Sequence, residues 1–291
     1  MDLPAPTPED IAITLGIIQG KSAFLTKPHK TEEDRVVDIR ACIYRLQVSS
    51  SKEKQEIIFS EFCAKYLPTM MSRWVEGKML PGEPPDFSAL VNGYLWVLLS
   101  AYKLPIFAKY LRSAKPIAAP GKSFVSLLAQ RITRFGILNE HIPLETPLQD
   151  GIKKYILEPT FWAVCLLRKG WTLSPRRFEP GKILGMPEDI VVELLPQLET
   201  WQNQRGYKAL ADESRRLIFL LTNVDRLYVG SIWRGWKGST DCALPGCEET
   251  INLKACAKCL AVYYCCPEHQ RAHWNSKEVP AHKPMCFKTE Y

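Results

Sequence analysis

The residues best suited to chemistry crowd into one end of the chain. Seven of the ten cysteines (Cys242, Cys247, Cys256, Cys259, Cys265, Cys266 and Cys286) and three of the five histidines (His269, His273 and His282) fall between positions 242 and 286. Thiolate and imidazole are the donors that Zn2+ prefers. They stand in pairs at ligand spacing: Cys242-x4-Cys247, Cys256-x2-Cys259, Cys265-x3-His269 and His282-x3-Cys286. Four pairs supply eight ligands, enough for two closed tetrahedral sites. A segment this short cannot bury a sufficient core, so metal must supply much of its folding free energy. Structural zinc contributes on the order of 10–16 kcal/mol in finger peptides. The stretch YYCCPEHQRAHW adds two rivals, Cys266 beside Cys265 and His273 one turn beyond His269. Residues 265, 269 and 273 fall on one helical face and 266 lies three before 269, so local spacing leaves the choice among them open.

The runs CAKCLAVYYCCPEHQRAHW and HKPMC resemble the MYND-type zinc finger family. Its pattern is two cysteine pairs, a Tyr-Cys followed by a ligand four residues on, a short helix reading Gln-x-x-x-Trp, and His-x3-Cys. The first pair here is spaced by four residues rather than two, and His269 stands where many members have cysteine. The insert NSKEVPA before His282 is longer than usual. The resemblance implies interleaved ligation of two structural Zn2+ ions. Cys242, Cys247, Cys265 and His269 hold one, and Cys256, Cys259, His282 and Cys286 the other, with Cys266 and His273 outside both sets. It also implies recognition of short proline-containing peptides of partner proteins, with Gln270 and Trp274 lining the peptide groove. A histidine such as His273 is ordinarily a solvated helix residue.

Charge sharpens the choice of partner. The chain carries a net +7, yet from Thr240 onward basic and acidic residues balance at six each, so the whole excess lies in residues 1–239. Thiolate ligands make the finger more negative still, which disfavours nucleic acid as its partner. The acidic, proline-rich start MDLPAPTPED lacks the pattern of a secretory signal, and runs such as LWVLL and LIFLL are too short to span a bilayer. The expected compartment is cytosol or nucleus, where clustered cysteines point to metal rather than disulfides.

Everything before the finger reads as helix. Thr7-Pro8-Glu9-Asp10 and Thr31-Glu32-Glu33-Asp34 are helix openers. Apolar periodicity predicts helices near 52–66, 86–102, 105–113, 122–135, 148–168, 188–203 and 208–228. Cys42, Cys63 and Cys165 sit in apolar helical surroundings, where small buried thiols are ordinary. The expected fold is mainly α: an all-helical domain over 1–232, a linker over 233–241 pinned by Trp233 and Trp236, a two-zinc cross-brace finger over 242–286 and a tail over 287–291.

Weaker signals are outweighed. Gly121-Lys122-Ser123 ends like a phosphate loop but lacks the leading glycine, since Pro116 stands there. Cys165 with His141 is a poor nucleophile–base candidate. The pairs Arg168-Lys169, Arg176-Arg177 and Arg215-Arg216 read as solvated faces. Some methyltransferases carry such a finger inside a catalytic domain, but the Asn-His-Ser-Cys core of that family is absent and the finger here is not inserted. The sequence therefore points to a non-enzymatic, zinc-binding interaction protein. The alternatives are an enzyme in the helical region, such as a lysine methyltransferase, or a nucleic-acid-associated regulator acting through that region's basic charge.

Overall fold

Thr7 opens the first helix as the sequence predicts. In the computed structural model, helix α1 (Pro8–Thr14) begins with a reciprocal capping box: the Asp10 amide donates to Thr7 Oγ1 at 3.1 Å and the Thr7 amide to the Asp10 carboxylate at 3.0 Å. Pro8 at the first position loses nothing, because its N–H would have no helical partner there. The helix closes at Gly16, with the Ile17 amide reaching back to the Ala12 carbonyl and the Gly16 amide to Ile13, both at 2.8 Å. The structure describes residues 4–25, 32–76, 90–101, 103–112, 188–203, 208–222, 238, 241–277 and 280–291.

Four more helices gather around α1 or its neighbours: α2 (Glu32–Ser49), α3 (Lys52–Glu76), α4 (Leu90–Ala101) and α5 (Pro105–Arg112). Helix α1 packs on α2 and α3, α4 fills the angle between α2 and α3, and α5 lies against α3. Their shared core holds Ile11, Leu15, Ile43, Leu46, Phe62, Leu67, Tyr94 and Phe107, none more than 1% exposed. Lys65 of α3 bonds Glu9 of α1 at 2.9 Å, and Arg73 donates to the Gly16 and Ile17 carbonyls after α1. Two further helices, α6 (Glu188–Gln202) and α7 (Lys208–Thr222), pack on each other.

Helix α3 departs from expectation. It runs ten residues beyond the predicted end at 66, through Pro68. Proline removes one ladder hydrogen bond, a cost of about 3 kcal/mol. Leu67, Met70 and Met71 around it are fully buried, and burial of three such side chains outweighs that cost. The predicted helices near 122–135 and 148–168, the linker tryptophans, the Gly-Lys-Ser run, Cys165 with His141, and the pairs at 168–169 and 176–177 lie outside the described residues. Arg215 and Arg216 of α7 are exposed and pair with Asp212 at 3.3 Å and with the buried Glu213 at 3.1 Å. No helix among the described residues is long and apolar enough to cross a membrane. The described chain is thus helical up to a small C-terminal unit of different character.

Candidate metal centres

That unit is built on a two-stranded hairpin. Strand β1 (Lys254–Ala255) pairs antiparallel with β2 (Tyr263–Tyr264), and the loop between them carries Cys256 and Cys259. The Cys256 amide donates to the Val262 carbonyl at 2.8 Å, and the Leu260 amide to the Cys256 carbonyl at 2.9 Å, folding the loop into a knuckle. The Ala261 amide points at Cys259 Sγ, 3.4 Å away.

Cys242 and Cys247 flank a tight turn, Leu244-Pro245-Gly246-Cys247, closed by the Cys247 amide on the Leu244 carbonyl at 3.1 Å. Gly246 sits at φ +87°, the left-handed geometry that glycine adopts without strain at the third position of a type II turn, with proline before it. The wider first spacing is therefore a proline-glycine turn set between the two ligands. Nearby, Gly238 has the same φ, and a Cβ there would stand 2.8 Å from that of Ala243. Only glycine allows this close crossing.

Cys265 follows β2 directly, and His269 lies in the first turn of helix α8 (Pro267–Trp274). His282 and Cys286 bracket a short 3-10 helix, η1 (Lys283–Met285), which packs on α3.

These elements bring eight side chains together in two groups. The donor atoms of Cys242, Cys247, Cys265 and His269 lie within 4.8 Å of one another, as do those of Cys256, Cys259, His282 and Cys286. A tetrahedral Zn2+ with Zn–S bonds of about 2.3 Å and Zn–N of about 2.0 Å has S···S edges of about 3.8 Å and S···N edges of about 3.5 Å. The Sγ···Sγ separations of Cys247–Cys265 and Cys256–Cys286 are both 3.8 Å. Cys259 Sγ stands 3.4 Å from His282 Nε2, and Cys242 Sγ 3.6 Å from His269 Nδ1. The residues fit two zinc ions, with the histidines presenting opposite ring nitrogens.

The two clusters differ in their surroundings. All four ligands of the second are buried, whereas three of the four in the first are half-buried. In the second, the neighbouring Cys286 thiol holds Cys259 far below the ordinary thiol range, at about 3, with His282 adding to the effect. The same contact pushes Cys286 upward. Sulfurs packed this closely cannot all ionise together on their own, and a divalent cation relieves that repulsion.

Cys266 and His273 belong to neither cluster. Cys266 is the N-cap residue of α8, in extended conformation, and its thiol makes no capping bond. His273 is not the solvated helix residue expected; it is 8% exposed. Its Nε2 lies 3.2 Å from the Pro280 carbonyl, which can only accept, so Nε2 carries the proton and Nδ1 accepts from the Tyr264 hydroxyl at 3.1 Å. The His273 carbonyl also receives the His282 amide. One side chain thus ties strand, helix and the far end of the long NSKEVPA insert, bringing His282 to its cluster.

Gln270 and Trp274, one turn apart on the same face of α8, are both partly exposed. The Trp274 ring stands edge-on to His282 with centroids 5.8 Å apart. Ligand spacing could not have revealed two other participants. Lys109 of α5 donates from Nζ to the Cys259 carbonyl at 3.1 Å, and Tyr291 donates from its hydroxyl to the Cys63 carbonyl of α3 at 3.1 Å.

Residues 242–286 match the family model of the MYND finger. With two Cys3His clusters in interleaved order, this segment is a MYND-type zinc finger. Against curated proteins and solved structures the chain gives no significant match.

Proposed function

We propose that this MYND-bearing chain is a non-enzymatic interaction protein whose finger, held by two structural zinc ions, recognises a short proline-containing peptide of a partner. The metal identity is supported by the donor set, three thiolates and one imidazole per cluster at tetrahedral edge lengths. The structural role is supported by saturation. Protein side chains take all four positions of each site, whereas a catalytic zinc keeps one open.

The observation that carries the peptide reading is the seating of Trp274. Its ring is braced by a metal ligand, His282, yet part of it faces solvent beside Gln270. A braced indole offers a flat apolar face to a proline ring at little entropic cost, and the Gln270 amide offers a donor and an acceptor to peptide backbone.

Titration of the full chain with proline-rich peptides is expected to give dissociation constants of about micromolar order. Trp274→Ala should weaken binding at least about tenfold, or about 1.4 kcal/mol, while metal analysis still counts two ions. Unchanged affinity in that variant would refute the site. Loss of an ion would instead mean that Trp274 serves to pack over the second cluster.

A further inference from the structure

Outside the ligand sets, polar contacts concentrate on the helical side of the second cluster. Three features meet there. The knuckle between Cys256 and Cys259 runs into Leu260, whose φ of +55° is a left-handed conformation that strains a residue other than glycine. The peptide unit joining Cys259 to Leu260 is pinned at both ends: its N–H by the Cys256 carbonyl at 2.9 Å, and its C=O by Lys109 at 3.1 Å. Lys109, itself half-buried, has two more partners. Besides that carbonyl, its ammonium meets the Thr289 hydroxyl and lies 5.3 Å from the centre of the Tyr291 ring. A carbonyl and a hydroxyl accept two of its N–H bonds, and the ring face lies within cation–π range of the charge.

We infer that Lys109, on helix α5 and 150 residues from Cys259, is a positioning residue for the second metal site. It holds the Cys259–Leu260 peptide plane in the strained orientation that aims Cys259 Sγ into the cluster. Backbone strain of this kind persists only where the surroundings over-determine it. The ammonium also faces a site in which three thiolates and a neutral imidazole around a divalent ion leave about one net negative charge. Its position and its sign therefore both favour the loaded site. This rests on the metal reading above but not on peptide recognition.

The test uses the zinc-loaded full chain challenged with a chelator. Long-range 1H–15N spectra of the imidazoles report each site separately, because His269 faces its cluster with Nδ1 and His282 with Nε2. Lys109→Met is expected to ease metal loss at the His282 site about ten- to a hundredfold, the range for outer-shell partners of a metal ligand, and to leave the His269 site unchanged. Lys109→Arg should recover part of the loss. Tyr291→Phe, which keeps the ring over Lys109 and removes only the hydroxyl bond to Cys63, should loosen the His282 site far less than Lys109→Met does. In a Leu260→Gly background, where the knuckle is relaxed, the effect of Lys109→Met should shrink. The inference is overturned by an unchanged His282 site, by equal loosening of both sites, by an equal effect of Tyr291→Phe, or by an undiminished effect in the glycine background. Fewer than two ions on the wild-type chain would overturn the metal reading itself.

Discussion

At the scale of single residues, the adjacent pair Cys265-Cys266 shows how far ligand type and spacing reach. Either cysteine satisfies the spacing to His269. The backbone decides between them: Cys265 leaves β2 with its thiol 3.1 Å from His269 Nδ1, while Cys266 turns extended to start α8. Cys265→Ser is therefore expected to lose one ion and unfold the finger, since structural zinc supplies about 10–16 kcal/mol in finger peptides. Cys266→Ser should retain two ions. Metal counting by mass spectrometry on both variants checks this, and equal loss from both would refute the assignment. His273 departs from the solvated position expected of it for a related reason. Nothing in its spacing shows that Tyr264 and the Pro280 carbonyl close around its ring, because the first lies on a strand and the second at the far end of an insert. By contrast Cys42 and Cys63 behave as their apolar neighbours suggest; burial pushes the Cys42 thiol up to about 12, out of reach of redox or metal chemistry at neutral pH.

At the scale of elements, signals that act within one turn were legible and those that depend on packing were not. The start of α1 followed from Thr7-Pro8-Glu9-Asp10, and the wide first knuckle is a turn encoded by Pro245-Gly246. The end of α3 did not follow, because Pro68 argues locally for a stop and only the burial of Leu67, Met70 and Met71 overrules it. The α1 cap also fixes a pH dependence. Burial acts to raise the Asp10 carboxyl, but hydrogen bonds from the Thr7 amide, the Ser22 hydroxyl and the Thr7 hydroxyl hold it below its ordinary value. A carboxyl depressed by folding contributes stability that is present above its unfolded value, about 3.9, and is lost as pH falls through the folded one. Asp10→Asn should therefore cost about 1 kcal/mol at neutral pH. The gap to the wild type should close as the pH drops below about 4. Denaturant midpoints of the two proteins, compared at each pH so that acid release of metal is common to both, measure it. A gap that persists unchanged into acid would show that the charge on Asp10 does not matter.

At the scale of the molecule, finger and helices are joined through the five residues after Cys286, which local pattern presented as a tail. The Tyr291 ring packs edge-on against Tyr110 of α5, centroids 4.9 Å apart. Its hydroxyl bonds the carbonyl of Cys63, next to the Ala64 carbonyl that Pro68 leaves without a helical donor. Thr289 meets Lys109 across 180 residues of sequence, a separation over which no periodicity or motif carries information. Because Cys286 is both a metal ligand and the anchor of this segment, metal binding and docking are linked, and linkage is reciprocal. Removing the metal should free residues 287–291 and strip the helices of the Tyr291 contacts. Full aromatic truncation in a core costs about 3–5 kcal/mol, and the half-buried Tyr291 should contribute roughly 2–3 kcal/mol. At roughly 2–4 °C per kcal/mol for a chain of this size, chelation should lower the midpoint of the helical circular dichroism signal by about 5–10 °C. The Tyr291→Ala variant should start from that lower midpoint and respond little to chelator. A helical midpoint indifferent to metal in the wild type would mean that the two parts fold independently and that the seam contributes nothing to stability.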